Sequence, residues 1–99
     1  MVRLAEGGLE FMLHYVYIIE SKKDNTLYKG YTTDYLKRLA EHNNGLSEYT
    51  SRKTPWILRY VEAHDDKATA LKRELMFKRQ NRKYFDWLFE QTTNILLGG

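Results

Sequence analysis

Three side chains that bind anions or move protons are spaced along one predicted helix. Tyr35, Arg38 and His42 occupy positions i, i+3 and i+7, and this spacing puts them on one stripe of a helix. A guanidinium binds phosphate or carboxylate through its planar fork, and an imidazole exchanges protons near neutral pH. The stripe therefore indicates a site that could bind an anion and transfer a proton.

Two further tyrosines are expected to face each other across a hairpin that precedes this helix. Residues 14–20 and 27–31 are rich in aromatic and β-branched residues, which favour strands, and the polar residues between them predict a turn. If Glu20 pairs with Leu27, Tyr17 lies opposite Gly30, and Tyr28 shares that face. A glycine opposite Tyr17 leaves open space over its ring.

Positive charge is concentrated late in the chain. Residues 67–83 hold seven lysines and arginines against Glu74 alone, a local charge of +6, whereas the whole chain carries +3. Such a segment attracts a phosphate backbone, although a solvated helix face explains it equally well. The candidate nucleic-acid contacts are Lys72, Arg73, Lys78 and Arg79, with Arg52 and Lys53 from a polar loop over residues 47–55 that an ordinary solvated connection also explains.

Apolar spacing predicts which helix faces meet the core. Residues 32–44 predict a helix capped by Thr33 or Asp34, with Gly45 ending it. A third strand is expected over residues 56–63, a second helix from about Lys67, and a last helix capped by Asn81. The residues expected to face the core are Leu36, Leu39 and Ala40 in the first helix, Ala68, Leu71 and Leu75 in the second, and Tyr84, Phe85, Leu88 and Phe89 in the third.

The order of elements predicts an α+β fold of β-β-α-β-α-α form, with a small three-stranded antiparallel sheet flanked by helices. With 99 residues, the chain is expected to form one domain over residues 13–90. Residues 1–12 are interpreted as a flexible extension, with Met12 as an alternative start, and residues 91–99 as a loosely held tail.

Composition excludes several classes of protein. The chain has no cysteine, which rules out disulfides and thiolate metal sites and fits a reducing cytosol, so a cytoplasmic location is expected. No apolar run is long enough to cross a membrane. His14 and His64 show no ligand spacing, and both are interpreted as structural or solvated.

The spacing of these residues resembles the GIY-YIG nuclease superfamily. Tyr15-Val16-Tyr17 and Tyr28-Lys29-Gly30 are similar to its two signature elements, with ten residues between Tyr17 and Tyr28. Arg38, His42 and Glu74 follow at matching positions. The segments His42-Asn43-Asn44-Gly45, Tyr49-Thr50-Ser51 and Pro55-Trp56 resemble the small single-domain bacterial branch related to the excision-repair incision nuclease. Tyr15 and Lys29 depart from the usual motifs, and no late asparagine is matched.

The resemblance implies a metal-dependent endonuclease that hydrolyses phosphodiester bonds, expected in DNA during repair or recombination. Tyr17, Tyr28, Arg38, His42 and Glu74 would be its catalytic residues, and Glu74 its single metal-binding carboxylate. One carboxylate suits Mg²⁺, or Mn²⁺ in its place. Tyr17 would act as the general base, Arg38 would bind the scissile phosphate, and Tyr28 and His42 would assist.

Two other functions remain open at this point. One is a nucleic-acid-binding module of the same fold that cuts poorly, which Lys29 and the unmatched asparagine favour slightly. The other is an interaction domain without nucleic acid, which the basic segment disfavours. A domain of this size has little room for a separate recognition module, so weak specificity or targeting by a protein partner is expected.

Overall fold

The computed structural model describes residues 2–4 and 10–98, with side chains from residue 12 onwards. The elements are β1 (Val2–Leu4), β2 (Glu10–Met12), β3 (His14–Ser21), β4 (Leu27–Thr32), α1 (Tyr35–Asn43), α2 (Glu48–Ser51), β5 (Trp56–His64), α3 (Lys67–Phe77), α4 (Arg82–Leu88) and a 3₁₀ turn (Ile95–Leu97). No helix in this described part is long and apolar enough to span a membrane.

The centre of the fold is a three-stranded antiparallel sheet in the order β4-β3-β5. The hairpin register is confirmed, because Glu20 pairs with Leu27 and Tyr17 with Gly30. On the other side of β3, a bulge between Ile18 and Ile19 shifts the pairing with β5. The α+β class and the β-β-α-β-α-α order are confirmed, with the short α2 added inside the predicted 47–55 loop.

Strand alternation gives the sheet two buried faces. One face carries Val16, Ile18 and Tyr60, which pack against α3 and α4. The opposite face carries Tyr17, Ile19 and Val61, which pack with residues of α1. The central strand β3 is therefore buried on both sides, and its residues 15–21 are all buried. Close packing on both faces restricts the side chains of β3 to defined positions.

The predicted inward face of α1 is wrong. Leu36 is 64% exposed and Ala40 is also exposed, and only Leu39 packs against the core. The polar stripe faces inward instead, and His42 is the fully buried residue of α1. Because Tyr17 and Thr50 hydrogen-bond both ring nitrogens of His42, its burial does not leave an unpaired polar group. The helix cap is Asp34, whose side chain accepts the Lys37 N–H at 3.0 Å.

The predicted inward face of α3 is also wrong. Ala68 is exposed, Leu71 is 40% exposed and Leu75 is 56% exposed. Ala70 and Phe77 are buried against the sheet instead. The sequence pattern does not identify the buried face, because α3 is only weakly amphipathic and its apolar residues occur around most of its circumference. In α4, by contrast, Phe85, Leu88 and Phe89 are buried and Tyr84 is partly buried, as predicted.

Described segments near both ends of the chain make hydrogen-bonded contacts. Val2–Leu4 pairs antiparallel with Glu10–Met12, whereas residues 1 and 5–9 of the predicted extension lie outside the described residues. At the other end Asn94 is buried. Its amide accepts from Val61 N and Leu96 N and donates to the carbonyls of Arg59 and Phe89. The predicted tail is thus fixed to β5 at its asparagine, and the domain limits themselves stay predictions.

Gly30 is expected to tolerate no side chain. A Cβ built at Gly30 lies 2.5 Å from both Cζ and the hydroxyl oxygen of Tyr17, and the buried phenol has no free space to enter. Gly30→Ala should lower the free energy of unfolding by about 1–3 kcal/mol. Urea denaturation followed by circular dichroism measures this loss.

The control for this substitution is the same change in a Tyr17→Leu background. A shorter side chain at position 17 leaves room for the new methyl group, so most of the cost of Gly30→Ala should disappear there. An equal cost in both backgrounds would show that the phenol is not what excludes the methyl group.

Candidate active site

The phenol of Tyr17 is the buried centre of the candidate site. Tyr17 lies on the central strand β3 and is only 1% exposed. Its ring passes over Gly30 on the edge strand β4, where the missing side chain leaves the space that the hydroxyl occupies. The hydroxyl of Tyr17 therefore points towards the edge of the sheet on the face that α1 covers.

A chain of hydrogen bonds leads from this phenol into the protein. The Tyr17 hydroxyl and Nε2 of His42 are 2.8 Å apart, and Nδ1 of His42 is 2.7 Å from Oγ1 of Thr50. The Thr50 hydroxyl donates to the carbonyl of Ser47 at 3.4 Å, so its oxygen accepts from Nδ1–H. Nε2 is then the unprotonated nitrogen, and it accepts the proton of Tyr17.

Burial sets the protonation states of this pair. It lowers the pKa of His42 to about 4, helped by the positive charge of Arg38. Burial also raises the pKa of Tyr17 to about 12, with further contributions from Tyr28 and Glu74 that Arg38 opposes. At neutral pH the site thus holds a neutral imidazole and a neutral phenol. The phenol is not a base by itself, and its acidity depends on the charges placed around it.

Tyr28 forms the half-buried wall of the site next to these two residues. Its ring centroid lies 5.1 Å from that of His42 and 6.4 Å from that of Tyr17. Trp56 packs edge-on against Tyr28 and donates its indole N–H to the carbonyl of Thr50 at 2.9 Å. Tyr28 is therefore held in place by aromatic neighbours.

Arg38 brings a positive charge to the phenol. Its positive charge lowers the pKa of Tyr17 and so opposes the effect of burial, and its Nη1 donates to Oε1 of Glu41 at 2.9 Å. The side chain is 32% exposed, so an anion from solvent can reach it. Tyr35, the third member of the predicted stripe, packs edge-on against Tyr15 at 5.0 Å and belongs to the core.

Glu74 is the carboxylate whose charge reaches Tyr17. It contributes to the raised pKa of the phenol, although α3 packs on the opposite face of the sheet from α1. Its side chain is 19% exposed, and its ion pair with Lys78 is long, at 3.8 Å, so the carboxylate is available to a ligand. In the described part of the chain, no three His, Cys, Asp or Glu side chains cluster as a metal site. One carboxylate with phenol oxygens nearby is a hard-oxygen donor set, which fits a Mg²⁺ ion that keeps most of its waters.

The predicted nucleic-acid contacts divide into exposed and engaged cations. Lys72, Lys78, Arg79 and Arg52 are exposed. Lys53 pairs with Asp24 at 2.7 Å and stays partly exposed. Arg73 donates to the buried carboxylate of Glu62 at 2.8 Å, so it has a structural partner. Whether any of these six residues contacts nucleic acid remains a prediction.

Three residues that support the site have no role assigned by the sequence analysis. Thr50 is fully buried and bonds His42. The indole N–H of Trp56 donates to the carbonyl of Thr50. The side chain of Asn43 donates to the backbone carbonyl of Trp56 at 3.1 Å and accepts its backbone N–H at 2.6 Å. The sequence does contain a signal for them, since all three lie in the short segments that resemble the small bacterial branch of the superfamily. Spacing does not show that Thr50 meets His42.

The fold and site together define a nuclease-type domain. The family model for the GIY-YIG catalytic domain matches residues 13–87, which span β3 through most of α4. The chain therefore belongs to the GIY-YIG family, whose domain is a nuclease fold.

The relatives found within this family are small proteins named UPF0213. The chain is 45% identical over 78 residues to the UPF0213 protein of Halobacterium salinarum, covering 78% of this chain and 100% of that one. It is 44% identical over 71 residues to a UPF0213 protein of Bacillus cereus, covering 71% and 73%. The solution NMR structure of a UPF0213 protein from Bacillus halodurans is similar at a TM-score of 0.53 and 35% identity, covering 83% and 87%.

Protonation of His42 should destabilise the fold in mildly acidic solution. The unfolded chain binds the proton near the ordinary pKa of about 6.5, whereas folded His42 binds it only near pH 4. Stability is therefore lost as pH falls from about 6.5 towards 4. Between pH 7.5 and pH 5 the expected loss is of the order of 2 kcal/mol, and urea denaturation at both pH values measures it.

His42→Gln should remove most of this pH dependence, because glutamine does not titrate. His14→Gln serves as the matched control, since it removes a histidine from the strand β3 and leaves His42 of α1 in place. Equal pH dependence in wild type and His42→Gln would contradict a depressed pKa at this residue.

Proposed function

We propose that this protein is a divalent-metal-dependent endonuclease that hydrolyses phosphodiester bonds in DNA. The observation that carries the proposal is that three side chains act on one buried phenol. Tyr17 donates a hydrogen bond to His42, and the charges of Arg38 and Glu74 both affect the pKa of Tyr17. A cation, a carboxylate and a directed phenol are the groups that phosphodiester hydrolysis requires. Membership of the GIY-YIG family supports the same reaction class.

Arg38 would bind the scissile phosphate. Its side chain is partly exposed and its charge acts on Tyr17, so a phosphate bound to the guanidinium would lie near the phenol. The planar fork of arginine can contact two phosphate oxygens at once and neutralise the charge that develops on them. Tyr28, packed beside His42, would add a hydroxyl hydrogen bond to the phosphate or to the attacking water.

Tyr17 would receive a proton from the attacking water. Because its own proton is directed at Nε2 of His42, the phenol oxygen presents only lone pairs to a water molecule. The water O–H bond breaks as the new P–O bond forms, and the Tyr17 proton moves to His42 as Tyr17 takes the proton of water. The bond to the leaving oxygen then breaks, and that oxygen takes a proton from bulk water and departs as an alcohol. The negative phosphate nearby favours the imidazolium that results, which counteracts the depressed pKa of His42.

Glu74 would hold the divalent metal, Mg²⁺ or Mn²⁺. The bound ion would supply neutralisation of the phosphate charge and a water of lowered pKa. Glu74 suits this role because its carboxylate is partly exposed and only loosely paired with Lys78.

The exposed cations support nucleic acid as the substrate. Lys72, Lys78 and Arg79 lie on α3 or just after it, on the helix that carries Glu74, and Arg52 and Lys53 lie beyond α2. Phosphate contacts from these residues would position a strand at the site without reading its sequence. We therefore infer weak sequence specificity, a cytoplasmic role in DNA repair or recombination, and targeting by a protein partner.

Removing the metal ligand or the phenol hydroxyl should lower the rate of cleavage steeply. Glu74→Gln and Tyr17→Phe should each lower the rate of Mg²⁺-dependent nicking of plasmid DNA by about 10²–10⁴-fold, because each removes a group that acts in the transition state. Chelation with EDTA should have the same effect on wild type.

Glu90→Gln is the matched control, since Glu90 is an exposed glutamate outside the site, and it should cut at the wild-type rate. Cleavage that persists in Glu74→Gln would refute the metal assignment. DNA binding without any cleavage by wild type would favour the alternative of a binding module.

Binding to DNA should weaken steeply with salt. Each phosphate contact releases counterions, so log affinity falls linearly with log salt concentration. Lys78→Ala should reduce the magnitude of that slope by about 1. Fluorescence anisotropy of labelled DNA in EDTA measures it, because no cleavage interferes.

Lys67→Ala is the control for Lys78→Ala. Lys67 begins α3, and Lys78 follows its last residue, which puts them about 16 Å apart along the helix. The Lys67 variant should keep the wild-type slope. A flat dependence on salt in wild type would argue against phosphate contacts altogether.

A further inference from the structure

An exposed aromatic ring stands next to the candidate active site. Tyr49 belongs to α2 and is 56% exposed. Its ring centroid lies 6.0 Å from that of Tyr28, with 30° between the two planes. Tyr49 is given no catalytic role above, yet its ring continues the aromatic wall of the site outwards into solvent.

Tyr49 lies on the boundary between two surface cavities. The first, of about 330 Å³, is also lined by Tyr28, Lys29 and Lys78, so it reaches the catalytic residues. The second, of about 460 Å³, is lined by Tyr49 together with Arg52 and Lys53. A strand that passes from one cavity to the other must cross the ring of Tyr49.

The two cavities supply cations on both sides of this ring. Lys78 is 56% exposed on the side of Tyr28. On the other side Arg52 is exposed, and no ion pair found in residues 12–98 involves it. Cations that alternate with an exposed aromatic ring are what a single nucleic-acid strand binds, because its phosphates need charge and its bases need a flat surface.

We propose that Tyr49 stacks against an unpaired nucleobase next to the scissile phosphate. The candidate site then prefers DNA that is single-stranded or locally unpaired at the cut. A base inside an intact duplex is stacked on both sides and offers no free face to a tyrosine ring, whereas an unpaired base does. This inference rests on the proposed function for the position of the cut, and it adds the structural class of the substrate.

A matched surface aromatic elsewhere on the chain shows what is special about Tyr49. Trp87 is 57% exposed on α4, and its ring centroid lies 5.6 Å from that of Tyr84. Exposure and one aromatic neighbour are therefore common to both residues. Only Tyr49 borders the cavity that also contains Tyr28, so only its ring is placed to bind a substrate of the candidate site.

The test measures binding of the full chain to two fluorescent probes in EDTA, a single-stranded oligodeoxynucleotide and a blunt-ended duplex of two complementary strands without a loop. Tyr49→Ala should weaken binding to the single strand by roughly 5- to 150-fold, the range that loss of one base–aromatic stack produces. Its affinity for the duplex should stay close to that of wild type. Tyr49→Phe should bind the single strand as wild type does, because it keeps the ring.

Trp87→Ala is the control and should bind both probes with unchanged affinity. Three results would overturn the inference: an unchanged affinity of Tyr49→Ala for the single strand, an equal loss on both probes, or a loss in Tyr49→Phe as large as in Tyr49→Ala. The last would assign the effect to the hydroxyl and not to the ring.

The experiment separates this inference from the proposed function. Stacking is measured without metal and without cleavage, so a protein that fails to cut can still show the Tyr49-dependent preference for the single strand. Conversely, a protein that nicks DNA through Glu74 and Tyr17 while Tyr49→Ala binds both probes normally would keep the proposed function and lose this inference. Circular dichroism of each variant verifies that the fold is intact.

Discussion

The buried hydrogen bond between Tyr17 and His42 is the interaction on which the rest of the site depends. A phenol that is 1% exposed must find a partner inside the protein, and Nε2 of His42 is that partner. For His42 to accept, its other nitrogen must donate, which requires Thr50. For the phenol to reach His42 at all, position 30 must lack a side chain. Gly30, His42 and Thr50 are thus all required for the hydrogen bonding of the Tyr17 hydroxyl.

The sheet separates the two helices that act on this phenol. α1 and α3 pack on opposite faces, yet Arg38 from α1 and Glu74 from α3 both influence the pKa of Tyr17. A sheet of three strands is narrow, and the phenol extends over its edge strand at Gly30. Opposite charges therefore reach one oxygen without forming an ion pair with each other. Arg38 pairs with Glu41 and Glu74 loosely with Lys78, but both side chains stay partly exposed, so an anion can reach Arg38 and a cation can reach Glu74.

Internal ion pairs reduce the positive charge that the surface presents. Arg82 and Arg59 share the buried carboxylate of Glu20, and Arg73 serves the buried carboxylate of Glu62. A buried carboxylate without such partners would be costly. Part of the basic segment is thus committed to the fold, and its other exposed cations are Lys67, Lys72, Lys78, Arg79 and Lys83. The sequence count of +6 therefore overstates the charge that this segment presents to a ligand.

The sequence by itself determined the hairpin register and the helix cap Asn81, and it narrowed the first helix cap to Thr33 or Asp34, because alternation, turns and caps act over a few residues. Tertiary structure alone decided which faces of α1 and α3 are buried. The polar stripe of α1 can be buried because hydrogen-bond partners such as Thr50 lie inside the fold. It also fixed Asn94 to β5 and placed Tyr49 beside Tyr28. Those contacts join segments whose separation along the chain carries no local signal, and close packing of the whole core selects them.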